Sequence, residues 1–366
     1  MFAIIHKNPA LCAAVILGFF GSVPVSGADK PTKAEEHEQW VRGFLQERAR
    51  DLIFVKSKEG KGSGFLCSFR GKDVLVTNIH VVAGMENPQY VRLSGGPVQV
   101  GLAAAAVGHD VMCFGVSPIE KPLEVMEQID KEVGVGDDIL VIGNTEGADV
   151  ALPLSGKVVA IGPNLMEISA EIQSGNSGSP IIHKKTGKII AIATHLLRKP
   201  QIPDDEDKSG KTKSKGKEKQ DTRRFGTRLD TIREWNRVEW TQFKREAMQY
   251  NRICSQTHEL ANLLFGMKDQ GVAALLESKN PSLQDAGMRY MRMLKNRQST
   301  RYDFILASEN LVNEMKGTCR SDVWNARNSF QIDFFRSRAE EEIPFRQEMA
   351  TIFEQIAAGI TSMKGQ

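Results

Sequence analysis

Gly175-Asn176-Ser177-Gly178-Ser179-Pro180, running straight into Ile181-Ile182, is the most informative stretch of this 366-residue sequence. A serine set among small residues can occupy a tight turn with its hydroxyl exposed. Gly175 leaves room for backbone N–H groups to converge on a developing oxyanion. Two strings upstream carry matching chemistry. Val74-Leu75-Val76-Thr77-Asn78-Ile79-His80-Val81-Val82 reads as a strand running into a histidine. His109-Asp110-Val111-Met112-Cys113-Phe114 reads as an aspartate entering an apolar strand. Taken singly, each has a bland reading: a flexible loop, a structural histidine, a turn aspartate. Taken together they supply a nucleophile, a base and an acid to orient the base.

The order His80, Asp110, Ser177 resembles that of the trypsin-like serine peptidases; subtilisin-like enzymes and α/β-hydrolases use other orders. Gly62-Ser63-Gly64-Phe65 precedes the histidine strand as it does in that family's first barrel. The run from Val135 to Asn144 (VGVGDDILVIGN without its first two letters), then Ser155-Gly156-Lys157-Val158-Val159, is similar to the second barrel of bacterial HtrA/Do-like members. The resemblance covers about residues 52–235. It implies an all-β double six-stranded barrel, followed here by an α-helical C-terminal region. It also implies roles: Ser177 attacks a peptide carbonyl, His80 takes and returns its proton, and Asp110 holds the imidazole. Gly175 and Ser177 would supply the oxyanion-hole N–H groups. Polypeptides are the implied substrates, and the chemistry needs no cofactor and no metal.

Departures from the family pattern sharpen the expectation. Ser179 stands where many members have glycine, although glutamyl endopeptidase relatives carry this serine too. Asn176 rather than aspartate precedes the nucleophile, so the ion pair to a newly cut N-terminus used by pancreatic members cannot form. For specificity the candidates are Glu171, six residues before Ser177, and His195, after the strand expected to line the pocket. Glu171 is read either as a partner for Lys or Arg side chains or as a solvent-facing strand residue. Neither a zinc-protease nor a dinucleotide motif is present: His258-Glu259-Leu260-Ala261-Asn262 lacks a second histidine, and Gly134-Val135-Gly136 lacks a third glycine.

The flanks read differently. His6 and Lys7, the apolar run Leu11–Phe20, and Val25-Ser26-Gly27-Ala28 describe a signal peptide over residues 1–28, with an uncleaved anchor as the alternative. Export to the periplasm or the extracellular space is the expectation, with no membrane span in the mature chain. Residues 29–51 carry helical spacing at Trp40, Val41, Phe44 and Leu45. Without the signal four cysteines remain; Cys67–Cys113 and Cys254–Cys319 is one disulfide pairing, with four thiols as the alternative. Residues 198–224 hold ten basic and six acidic residues and are expected to be a disordered insertion within the β region, because Phe225-Gly226-Thr227-Arg228-Leu229 reads as a returning strand. From 236 to 366 the pattern is helical, with stripes at Leu260, Leu263, Leu264 and at Ile352, Phe353, Ile356, Ala357, Ile360.

Composition excludes the extreme classes. Hydrophobic residues at 41% rule out a disordered chain, and a net charge of +3 is too small to imply nucleic-acid binding. Two functions of different class fit: an exported serine endopeptidase, and a catalytically silent trypsin-fold binding protein acting through its helices. Nothing in the sequence sets its oligomeric state.

Overall fold

The computed structural model describes residues 32–198, 222–320 and 327–362. The expected signal peptide and residues 199–221 of the charged tract lie outside these. Helix α1, Lys33–Arg48, is capped by reciprocal bonds: Thr32 N–H donates to Glu35 Oε2 at 2.7 Å, and Glu35 N–H donates to Thr32 Oγ1 at 3.3 Å. Its Trp40 and Phe44 rings stack at 5.3 Å, one helical turn apart.

The short β-branched runs between glycine turns pair as antiparallel neighbours. The first sheet contains β1 (Leu52–Lys56), β2 (Lys61–Phe69), β3 (Lys72–Thr77), β4 (Gln89–Arg92), β5 (Ala103–Ala106), β6 (Met112–Gly115) and β7 (Leu123–Glu124). Between β3 and β4 lies the short helix α2 (Ile79–Ala83), and after β7 comes α3 (Ile129–Glu132). The second sheet contains β8 (Asp138–Asn144), β9 (Ala151–Ile161), β10 (Leu165–Ile168), β11 (Pro180–His183), β12 (Ile189–Arg198) and β13 (Thr222–Arg228). It closes into a six-stranded barrel in the order β10-β13-β12-β11-β8-β9.

The first sheet is not the second closed barrel that the resemblance implied. Its eighth strand is β14 (Trp235–Val238), and its order is β14-β5-β6-β3-β2-β1-β4, with β7 parallel to β2. A strand has two hydrogen-bonding edges, and both edges of β5 are taken: β6 on one side and β14 on the other. β14 arrives from beyond the second barrel and occupies the edge that β4 would need for closure.

The charged tract leaves and returns through a hairpin. Arg198 pairs with Thr222 and Leu197 with Arg223, so both ends of the 198–224 segment are strand. Arg223 is held there by a bidentate pair to Glu167 of β10, at 2.9 and 2.6 Å.

The helical region comprises α4 (Trp240–Gln270), α5 (Pro281–Lys295), α6 (Arg301–Arg320) and α7 (Asp333–Ser362). Asn280 caps α5 and Pro281 starts it, the usual division of labour at a helix N-terminus. Three apolar cores result. One joins the first sheet and α2 to Phe243 and Ala247 of α4 and Phe335 and Ala339 of α7. A second fills the closed barrel around Val141, Met166 and Ile181. The third lies among the helices around Leu260, Leu275, Leu283 and Phe353. Of the predicted stripes, Leu260 and Phe353 are buried while Ile352 is exposed; the side chains of Leu263, Leu264, Ile356, Ala357 and Ile360 lie outside the described residues.

No disulfide forms among the described residues: Cys67, Cys113, Cys254 and Cys319 are all thiols. For the first pair the register explains why. Cys67 on β2 faces Val74 of β3, and Cys113 on β6 faces Val76 of the same strand. A whole strand separates the two cysteines, about 10 Å at ordinary strand spacing, whereas a disulfide needs Cα atoms within about 7 Å. Burial pushes the Cys113 thiol up to about 11 and raises that of Cys67 as well, as inert buried thiols behave. Cys254 and Cys319 sit on different helices, α4 and α6.

Candidate active site

His80 and Asp110 are brought together by the two strands that precede and follow them. β3 ends at Thr77 and turns through Asn78 into α2, putting His80 on its first turn. The β5–β6 turn, with Gly108 at φ +73°, delivers Asp110 just before β6. His80 Nδ1 and Asp110 Oδ2 are 2.5 Å apart, and the His80 backbone N–H donates to Asp110 Oδ1 at 3.0 Å. Both carboxylate oxygens are thus committed to one residue. The aspartate is buried, while the imidazole remains 40% exposed. Burial lowers the imidazole's affinity for a proton, but the charge and hydrogen bond of Asp110 outweigh it, so its pKa lies above the ordinary value.

Asn78 locks this arrangement from behind. Its Nδ2 donates to Asp110 O at 2.6 Å and reaches Thr194 Oγ1 of β12 at 3.4 Å. Thr194 in turn bonds Thr227 of β13 across 2.9 Å, tying the Asp110 turn to the closed barrel.

The Ser177 turn is built on two residues with positive φ, Gly175 and Gly178, both at +88°. A Cβ on Gly175 would collide with Asn144 O, and one on Gly178 with Ser63 O, so glycine is required twice over. Asn176 is fully buried and pins the turn: its Oδ1 accepts from Gln173 N–H at 2.9 Å and its Nδ2 donates to Thr145 Oγ1 at 3.0 Å. The amide that stands in place of aspartate therefore has a structural use of its own. Along the turn, Asn176 N–H donates to Gln173 O, Gly178 N–H to Ala193 O and Ser179 N–H to Asn176 O. Gly175 N–H and Ser177 N–H donate to nothing among the described residues.

Ser63 joins this turn to both sheets. Its N–H donates to Ser177 O at 2.9 Å, its Oγ donates to Gly175 O at 2.8 Å, and the same Oγ accepts from Asn144 N–H at 2.8 Å. Ser179 is buried beside Gly143, its hydroxyl without a hydrogen-bond partner among the described residues. Ser177 is only half-buried, and its Oγ makes no hydrogen bond among the described residues.

Residues 62–192 match the family model of the trypsin-like peptidase domain. Over this segment the chain is similar to trypsin-like peptidases. The mitochondrial Do-like 3 protein of Arabidopsis thaliana is 30% identical over 145 residues, 34% of this chain and 24% of that one. A serine endoprotease from Yersinia pestis superposes with a TM-score of 0.38 at 23% identity, over 45% of this chain and 58% of its own. The HtrA-type protease AlgW, solved with a tripeptide, gives a TM-score of 0.39 at 20% identity, over 52% of this chain and 60% of its own. The chain thus spans about a quarter of the curated relative and under two thirds of either solved protein.

Within the peptidase domain the two specificity candidates fare differently. Glu171 is exposed in the segment leading to the Ser177 turn, with no ion pair among the described residues. His195 sits on β12 opposite Phe225, and its side chain lies outside the described residues. No cluster of three or more metal-ligating side chains occurs among the described residues. Ser63 and Asn78, which hold the two turns, were not singled out by the sequence although both lie inside the strings quoted above. Their partners are far away in sequence, so only the local motif was visible.

Proposed function

We propose that this chain is a serine endopeptidase working through Ser177, His80 and Asp110. Ser177 Oγ attacks the substrate carbonyl as His80 Nε2 takes its proton. Asp110 accepts a hydrogen bond from Nδ1–H, which leaves Nε2 as the basic nitrogen, and stabilises the imidazolium that forms. The tetrahedral oxyanion is received by the N–H groups of Gly175 and Ser177, a contribution of about 3–4 kcal/mol per donor in comparable sites. Collapse expels the amine, protonated by His80, and water then hydrolyses the acyl-enzyme by the same steps.

The observation that carries this reading is the union of the His80–Asp110 pair with a nucleophile turn whose Gly175 and Ser177 N–H groups are left unspent. A peptidase unit over residues 52–235, exported by a signal over residues 1–28, completes the proposal. A silent binding protein is the second reading, favoured by the absence of a hydrogen bond from Ser177 Oγ to His80. A fluorophosphonate probe separates the two. Labelling of the wild type that disappears in Ser177→Ala supports the peptidase; a wild type that stays unlabelled across pH 6–9 supports the binding protein. Secretion assayed with and without residues 1–28 tests the export step.

A further inference from the structure

The helices that follow the two sheets reach both segments that carry the catalytic pair. From α4, Asn251 Nδ2 donates to Ala83 O at the end of the His80 helix, at 3.3 Å. From α7, Asp333 Oδ2 accepts the N–H of Gly108 at 2.8 Å, two residues before Asp110. The other oxygen of Asp333 is engaged by Arg336 Nη2 at 2.5 Å, so the carboxylate bridges its own helix and the β5–β6 turn. Behind these contacts Ile79, Val81 and Val82, which flank His80, share one core with Phe243, Phe335 and Ala339.

We propose that α7 is a positioning element for the catalytic pair: Asp333 holds the turn that presents Asp110 to His80. The proposal rests on reading His80 and Asp110 as catalytic. Asp333 acts through geometry, because loss of its carboxyl frees the Gly108 N–H and the turn that carries Asp110.

The test uses the full chain and the rate of fluorophosphonate labelling, with Ser177→Ala as the blank. Asp333→Ala should lower the rate several-fold, and Asp333→Asn should restore it, since an amide oxygen still accepts the Gly108 N–H. A labelled wild type with an unchanged Asp333→Ala rate overturns the proposal. Should Asp333→Ala fail to fold, as judged by its thermal melt, restoration of fold but not rate in Asp333→Asn likewise counts against it. A wild type that never labels defeats the peptidase reading itself, an outcome distinct from these.

Discussion

Asp110 gives both carboxylate oxygens to His80, and this makes its replacement diagnostic. In Asp110→Asn one oxygen still accepts the His80 backbone N–H, but an amide nitrogen then faces Nδ1. The ring responds by carrying its proton on Nε2, the position that should be basic. The expected cost is about 10⁴-fold in the rate of amide or ester hydrolysis, with the thermal melt little changed; a loss of only a few-fold would show that Asp110 does not set the tautomer. The same pair sets the pH dependence. Because the His80 pKa is raised, activity should climb with pH through a midpoint above the ordinary imidazole value of about 6.5. Ser63 makes a second residue-scale prediction. It is 1% exposed, and Ser63→Ala leaves both Gly175 O and Asn144 N–H without their partner. At about 1–3 kcal/mol for each unsatisfied buried group, urea denaturation should register a loss of about 2–6 kcal/mol. Ser177, His80 and Asp110 were legible in the sequence because each sits in a string with its own local signature. Ser63 was quoted only as a barrel marker, since its partners lie 112 and 81 residues away.

Among elements, the strands were legible where apolar runs alternate with glycine turns, and the returning strand after the charged tract was legible for the same reason. Closure was not. Whether the first sheet becomes a barrel depends on which strand takes the free edge of β5, and that strand, β14, comes from beyond the second barrel. Local pattern carries no information about such a competition. One residue, Arg228 at the end of β13, shows how the closed barrel fixes its loops. It is 2% exposed and makes a bidentate pair with Asp230 at 3.1 and 2.7 Å, a bond to Asp130 of α3 at 2.7 Å, and one to Gly162 O at 3.0 Å. Burial opposes its charge, but the bonds to Asp230 and Asp130 prevail and hold the guanidinium firmly protonated. Arg228→Ala removes one partner of a buried pair and leaves Asp230 with its side chain only 8% exposed, so the expected loss is about 3–5 kcal/mol. Arg228→Lys should recover little of it, because an ammonium cannot reproduce the fork that meets both Asp230 oxygens. Recovery of most of the lost stability by lysine would mean that charge, not geometry, is what this site requires.

Across the whole molecule, the helical region was visible as helix but not as a partner of the core that flanks His80. Its stripes say which faces are apolar and leave open what they meet. The structure divides those faces between two cores of different consequence. Phe335 of α7 is fully buried, with rings of Phe243, Tyr250 and Phe334 at 5.4, 5.7 and 5.4 Å, in the core that contains the residues flanking His80. Leu283 of α5 is equally buried, but in the separate core among the helices. Truncating either leaves a cavity, at about 3–5 kcal/mol for Phe335→Ala and 2–5 kcal/mol for Leu283→Ala. Their stability losses should therefore overlap. Their effects on the site should not. Under conditions where both variants remain folded, Phe335→Ala should slow Ser177 labelling and raise hydrogen exchange in the 79–83 helix, because the packing that orients His80 has been loosened. Leu283→Ala should raise exchange within α5 and α6 and leave labelling at the wild-type rate, as expected if the two cores open as distinct units. Equal slowing by both variants would show that the two cores are energetically one, and that the site depends on the entire helical region rather than on the faces of α4 and α7 that touch it.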